Sequence, residues 1–177
     1  MPYRRAALLI AALCACKSTS PAPHAGDDSN ATFVAFPSTF ADFRTWTSFH
    51  DPGPPDDGTF GSDVLGPRTQ YINRIPPHGS TQFPVGTVIV EARESGAMLI
   101  VAGVKRGGDF NAQGAVNWEW FGLLEDGSGN VSINWRGIAP PVGGYGGLPT
   151  GGCNECHMAC GGSNDYVCSP ELQLASF

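Results

Sequence analysis

The chain has 177 residues, a formal net charge of −6, and charged side chains at only 15% of its positions. An acidic chain of this kind has no electrostatic reason to bind nucleic acid, because such binding needs clustered lysine and arginine against the phosphates. If the first 32 residues are set aside as a leader and a tether, about 145 residues remain. This length is enough for one compact domain with a single core.

The first sixteen residues have the pattern of an export signal. Arg4 and Arg5 precede an apolar segment, 6–15, which is too short to span a bilayer because a span takes about 20 residues. Leu13-Cys14-Ala15-Cys16 resembles a bacterial lipobox, so we expect residues 1–16 to be a lipoprotein signal and Cys16 to be acylated. A plain secretory signal that retains Cys16 is the alternative. The lipobox predicts a periplasmic protein anchored to a bacterial membrane only through its lipid.

A polar segment follows the leader. Residues 17–32 are rich in Ser, Thr, Pro, Ala and Asp and show no apolar period, which is typical of a flexible tether. We therefore predict that one domain occupies residues 33–177.

The domain begins with an aromatic-rich stretch. Phe33 to Phe49 is predicted to be partly helical, since Thr39 and Asp42 have capping-box spacing. Four aromatic residues follow one another at three-residue steps, close to a single helical face: Phe40, Phe43, Trp46 and Phe49. Such a stripe either packs in the core or lines a cofactor pocket. The segment 51–66, rich in proline and glycine, is predicted to be a loop.

A strand pattern occupies the middle of the chain. The predicted strands are Arg68 to Ile75, Thr87 to Glu94, Ala97 to Lys105, Asn117 to Glu125 and Val131 to Arg136. Tight turns at Ser95-Gly96 and at residues 126–129 connect neighbours, so the sheet is predicted to be antiparallel. The middle strands are apolar on both faces, and we expect the early helix, a cofactor or a second subunit to cover them. The fold class is therefore mainly β (α+β), with a few short helices.

The glycine- and proline-rich segment 138–152 leads into Cys153-Asn154-Glu155-Cys156-His157. Cys-x-x-Cys-His is the attachment signature of a c-type haem. The two thiols add to the two vinyl groups of a porphyrin as thioethers, and the histidine binds the iron. With six Cys and four His in the chain, the pattern arises by chance about 0.005 times. We expect Cys153, Cys156 and His157 to bind one covalent haem c per chain, with His157 as the iron ligand.

Two other cofactors use similar residues. A structural zinc site would combine the motif with Cys160 and Cys168, but zinc sites usually show a second closely spaced ligand pair. An iron–sulfur cluster needs at least four thiolates protected from oxidation, which an exported protein does not favour. In an oxidising compartment we expect Cys160 and Cys168 to form a structural disulfide.

With these residues in view, the chain resembles the cytochrome P-460 family, which includes cytochrome c-prime-beta. The resemblance depends on segments 43–46, 68–72, 86–90, 117–121, 153–157 and 165–167, which occur in family order. It implies a mainly antiparallel β fold, usually dimeric, with one five-coordinate c-type haem. The open face of such a haem takes up nitric oxide, hydroxylamine or another small ligand.

One position departs from part of that family. The P-460 members oxidise hydroxylamine and carry a lysine cross-linked to the porphyrin, shortly after a Gly-Thr-Val-x-Val strand motif. In this sequence the corresponding residue is Glu91. The departure favours the gas-binding c-prime-beta members. Glu91 is then a candidate proton acceptor or hydrogen-bond partner for a ligand on the open face, or one half of a solvent-exposed Glu91–Arg93 pair at a sheet edge.

Three functions follow from these patterns. The first is a lipid-tethered haem protein that binds a small ligand such as nitric oxide on a five-coordinate iron. The second is an oxidoreductase that acts on hydroxylamine or a related small nitrogen compound. The third is an electron carrier, which needs a sixth ligand. The candidates for that ligand are His50, His78, Met98 and Met158, and none stands in a sequence context typical of a distal ligand.

Overall fold

The computed structural model describes residues 31–53, 66–93, 100–138 and 152–177. The predicted leader with Cys16, most of the tether with His24, the turn at 95–96, Met98 and most of the segment 138–152 lie outside these ranges. Among the residues within them, no helix is long and apolar enough to cross a membrane.

The described part of the chain is built on a six-stranded sheet. Its strands are β1 (Thr47–Asp51), β2 (Arg68–Ile72), β3 (Val88–Arg93), β4 (Ile100–Lys105), β5 (Trp118–Glu125) and β6 (Val131–Gly137). They lie in sequence order, and every neighbouring pair is antiparallel. The predicted mainly β fold is confirmed, as are five of these strands, although β2 ends at Ile72 rather than at Ile75.

The prediction for the aromatic-rich stretch at the start of the domain is wrong in part. Only two 3₁₀ helices form there, Pro37–Phe40 and Phe43–Thr45, and residues 47–51 are β1. The hydroxyl of Thr39 accepts a hydrogen bond from the amide of Phe36 rather than pairing with Asp42. Tertiary pairing decides this outcome, because β1 gains a full ladder of backbone hydrogen bonds along β2.

The early segment covers one face of the sheet. Phe40 and Phe43 are fully buried against Val88, Val90 and Phe121, and Trp46 packs at the edge of the same cluster. Burying each of these large apolar side chains contributes roughly 2 kcal/mol. This face is therefore a core, and three of the four aromatic residues in the predicted stripe belong to it.

The C-terminal segment covers the opposite face. It contains one α-helix, α1 (Gly152–Ala159), and two 3₁₀ helices, Gly162–Asn164 and Leu174–Ser176. Its buried side chains pack with residues of β2 and β5 in a second cluster, which comprises Ile72, Phe83, Ala115, Trp118, Trp120, Val167, Leu172 and Leu174. Phe49, the fourth aromatic residue of the predicted stripe, and Cys153 border this cluster. The sheet is thus covered on both faces by the chain itself, and the Cys-x-x-Cys-His segment lies on the second face.

Candidate functional site

Helix α1 carries all three residues of the predicted haem-attachment motif. Cys153 and Cys156 are half-buried and neither forms a disulfide. Burial raises the pKa of the Cys153 thiol to about 12. A cysteine that attacks disulfides or substrates needs a depressed pKa, since the thiolate is the nucleophile. The raised pKa therefore does not favour Cys153 as the attacking thiol of a Cys-x-x-Cys pair.

The imidazole of His157 is oriented by two contacts. Its Nδ1 lies 2.7 Å from the carbonyl oxygen of Tyr166, and its ring stacks on Trp120 with centroids 4.0 Å apart. A carbonyl oxygen only accepts hydrogen bonds, so Nδ1 carries the proton and Nε2 keeps its lone pair. Desolvation lowers the pKa of His157, while the Tyr166 carbonyl and the charge of Glu91 act in the opposite direction. A neutral imidazole with Nδ1 bonded to a carbonyl is the usual state of a metal-binding histidine.

A buried amide holds α1 against the sheet. Asn154, between the two cysteines, is fully buried and exchanges two hydrogen bonds of 2.7 and 2.8 Å with the side-chain amide of Asn111. Its Oδ1 also accepts a bond of 3.0 Å from Nε1 of Trp120. Gly114 leaves room for this contact, because a Cβ there would lie 2.2 Å from Asn154 Nδ2. The motif is thereby placed at a defined position over β5.

Two tryptophans line the sheet beside the motif, each opposite a glycine. A Cβ at Gly103 would lie 2.8 Å from the Trp120 ring, and a Cβ at Gly122 would lie 2.1 Å from Nε1 of Trp135. Each indole therefore occupies space that a side chain on the neighbouring strand would fill. Sequence reasoning missed this arrangement, although glycine inside a strand is a signal of close approach.

A polar cluster lies on the same sheet face. Glu91 Oε1 accepts from Arg68 at 2.9 Å and pairs with Arg93 at 2.7 Å. Arg68 also lies 3.6 Å from Asp51. The predicted Glu91–Arg93 pair is present, but its placement at an exposed sheet edge is wrong. β3 lies between β2 and β4, and the two side chains are only 17% and 6% exposed.

Two further cysteines lie just past α1. Cys160 and Cys168 form a disulfide with a Cα–Cα distance of 5.3 Å. One of its sulfur atoms, Cys168 Sγ, lies 3.6 Å from Nδ1 of His157. The disulfide thus closes a short loop that contains Tyr166. The carbonyl of Tyr166 is hydrogen-bonded to His157, so the disulfide lies beside the histidine.

Three of the four other candidate iron ligands lie within the described residues. His50 is exposed and, by the alternation of β1, lies on the opposite face from Phe49 and Asp51. His78 is exposed in the connection between β2 and β3. Met158 follows His157 directly and is 44% exposed. Met98 lies outside the described residues.

Across the described ranges, no group of three or more His, Cys, Asp or Glu side chains is arranged to hold a metal ion. The disulfide also removes Cys160 and Cys168 from the ligand set of the zinc alternative.

In comparisons with known proteins, no family model, no curated protein and no solved structure matches the chain.

Proposed function

We propose that this protein is an exported mono-haem c-type cytochrome whose iron binds a small ligand such as nitric oxide. The observation that carries the proposal is the hydrogen bond between His157 Nδ1 and the Tyr166 carbonyl, in a helix that also presents two unbridged thiols. That bond leaves Nε2 as the nitrogen available for iron. The resemblance to the cytochrome P-460 family supports the same function.

The donor set fits a c-type haem. Cys153 and Cys156 would hold the porphyrin through thioether bonds, and His157 Nε2 would bind the iron. A porphyrin supplies four further nitrogen ligands, so one protein ligand is sufficient. Cys153 packs against the same apolar cluster as Trp135 and Ile89, and this cluster would keep water from the bound group. When bound, haem supplies an iron that takes up a diatomic ligand and undergoes one-electron redox change.

A five-coordinate iron is part of the proposal. Of the three candidates within the described residues, His50 and His78 are exposed and Met158 is adjacent to the proximal histidine, so none of these three would supply a sixth ligand to an iron bound at His157. This arrangement favours ligand binding over the electron-carrier alternative, which requires a strong sixth ligand.

Glu91 supports an oxidoreductase as the second candidate function. Its carboxylate lies on the sheet face that carries the motif, and its charge acts on both Cys153 and His157. A carboxylate at this place would serve as the proton acceptor or as a hydrogen-bond partner of a bound nitrogen compound such as hydroxylamine. It cannot form a lysine cross-link. Lys105, the one lysine of the predicted domain, is bound to Asp165.

The cellular setting is proposed from the leader alone. Acylation of Cys16 would tether the domain to a bacterial membrane on the periplasmic side, and a homodimer is the assembly that the family resemblance implies. Labelled palmitate should enter the wild-type protein but not Cys16→Ser. Light scattering on the purified domain should give twice the chain mass.

The decisive experiment is expression together with a c-haem maturation system. The mature mass should rise by one haem, and acid–acetone should fail to extract the colour. The ferrous spectrum should be high-spin and should change when nitric oxide is added. His157→Ala should keep the thioethers and lose this spectrum, whereas His78→Ala, a matched surface control, should retain it. A colourless protein with stoichiometric zinc would overturn the proposal, and a low-spin spectrum abolished by a Met98→Ala substitution would favour the electron carrier.

A further inference from the structure

A buried ion pair joins the sheet to the C-terminal segment. Lys105, at the end of β4, places Nζ 2.5 Å from Oδ1 of Asp165, and both side chains are 3% exposed. Burial raises the pKa of Asp165, and the Lys105 ammonium acts against that rise. Buried ion pairs are weak contributors to net stability, because desolvation offsets their attraction. A contribution to stability therefore does not by itself explain why Lys105 and Asp165 are buried together.

Asp165 makes further contacts with two other parts of the molecule. Its Oδ2 accepts a hydrogen bond of 2.9 Å from the amide of Phe83. Its backbone carbonyl accepts one of 2.8 Å from Nε1 of Trp118. The side chain of Asp165 thus contacts β4 and the segment before β3, and its main chain contacts β5.

The backbone at this point is in a sparsely populated conformation. Asp165 has φ 50° and Tyr166 has φ 65°, so two successive residues with side chains are left-handed. Each costs roughly 1–2 kcal/mol relative to an ordinary conformation. Such a pair persists only where its surroundings impose it, and Asp165 is bound through both its side chain and its main chain. The Tyr166 carbonyl that follows lies 2.7 Å from Nδ1 of His157.

We propose that Asp165, held by Lys105, is a positioning residue for His157. It imposes the left-handed Asp165–Tyr166 pair, which presents the Tyr166 carbonyl to Nδ1 and keeps Nε2 free of a proton. A hydrogen bond of this kind orients a metal-binding histidine and raises its basicity. The inference rests on the proposed function where it concerns iron, but the effect on the imidazole tautomer exists without haem.

The alternative is that the ion pair only attaches the C-terminal segment to the sheet. A second buried ionic group provides a matched control for that reading. Glu119 is fully buried, pairs with Arg106 at 3.1 Å and Arg136 at 2.7 Å, and lies on the opposite sheet face. Glu119→Gln should lower stability without removing a side-chain contact to Asp165, Tyr166 or His157.

The first test uses the haem-free protein and nitrogen-15 NMR of the histidine rings at pH 8. Wild-type His157 should carry its proton on Nδ1. Asp165→Ala should transfer a large part of that population to Nε2, the form that free imidazole prefers. Asp165→Asn should give a smaller shift, because Asn still accepts from Phe83 and tolerates left-handed backbone. If the alanine variant does not fold, the asparagine variant still tests the role of Asp165.

The second test uses the haem-loaded protein. Asp165→Ala and Asp165→Asn should move the iron–histidine stretching band in the Raman spectrum to lower frequency and make the reduction potential more positive. Glu119→Gln should leave both unchanged despite a lower melting temperature. Folded Asp165 variants with the wild-type tautomer and the wild-type band would overturn the inference. Failure to attach haem would instead overturn the proposed function, while the NMR result would still decide the role of Asp165.

Discussion

The imidazole of His157 lies against the indole of Trp120, with ring planes only 24° apart. Trp120 is itself held by Asn154, the residue between the two cysteines of the helix that carries His157. One buried amide therefore positions both the helix and the ring that packs on its histidine. Geometry of this kind places a ligand within a few tenths of an ångström only when every supporting side chain is itself fixed.

Replacing Asn154 with alanine should destabilise the haem-free domain by about 3 kcal/mol. The substitution removes the donor to Oδ1 of Asn111 and the acceptor of the Trp120 N–H, and each unsatisfied group costs about 1–3 kcal/mol. Urea unfolding followed by tryptophan fluorescence measures the change. Glu155→Ala, at the exposed neighbouring position, is the matched control and should stay within about 0.5 kcal/mol of wild type. Equal losses for the two variants would contradict the role of Asn154.

The Cys153 thiol should make the haem-free protein less stable at high pH. Its pKa is about 12 in the folded protein and 9.0 when unperturbed. Between these values the unfolded chain releases the proton and the folded protein keeps it, so stability falls as pH rises through this window. Melting temperatures recorded from pH 8 to pH 11 should decline less steeply in Cys153→Ala than in wild type. The same decline in both proteins would argue against a raised pKa at Cys153.

Replacing Glu91 with glutamine should change the pH dependence of nitric oxide binding by the haem-loaded protein. The carboxylate lies between two guanidinium groups, and its removal leaves both with one anionic partner fewer. Stopped-flow kinetics from pH 5 to pH 9 measure the effect. Glu125→Gln, which breaks a similar ion pair with Arg44 at the surface, is the control and should follow the wild-type profile. Superimposable profiles for all three proteins would exclude a role for Glu91 at the ligand site.

Removing the disulfide should cost about 2 kcal/mol, since it closes a loop of only eight residues. The expected variant is Cys160→Ala with Cys168→Ala, and chemical denaturation measures the loss. The haem-loaded wild-type protein, unfolded without a reducing agent, should show no free thiol. Two reactive thiols per chain there would show that the bridge does not form in the haem-loaded protein.

Local sequence patterns were sufficient for most of the sheet. β-branched runs and tight turns act over a few residues, so β3, β5 and β6 could be predicted nearly to their ends. β1 could not, because residues 47–51 become a strand only through pairing with β2, across a long connection. The three-residue spacing of the aromatic side chains matched a helical period, although no α-helix forms there. Where each side chain is buried depends on the sheet face that it packs against.

The chemistry of the site was also readable locally. Cysteines three positions apart with a histidine next in sequence predict both the cofactor and the atoms that would bind it, since those contacts lie within one helical turn and a half. The tertiary structure alone decided how that histidine is oriented. Lys105, Phe83 and Trp118 all contact Asp165, and Lys105 precedes it by 60 residues in the chain. In our proposal these contacts turn the carbonyl of Tyr166 toward the histidine. No local pattern records such contacts, because they exist only after β4, β5 and the C-terminal segment have packed on one another.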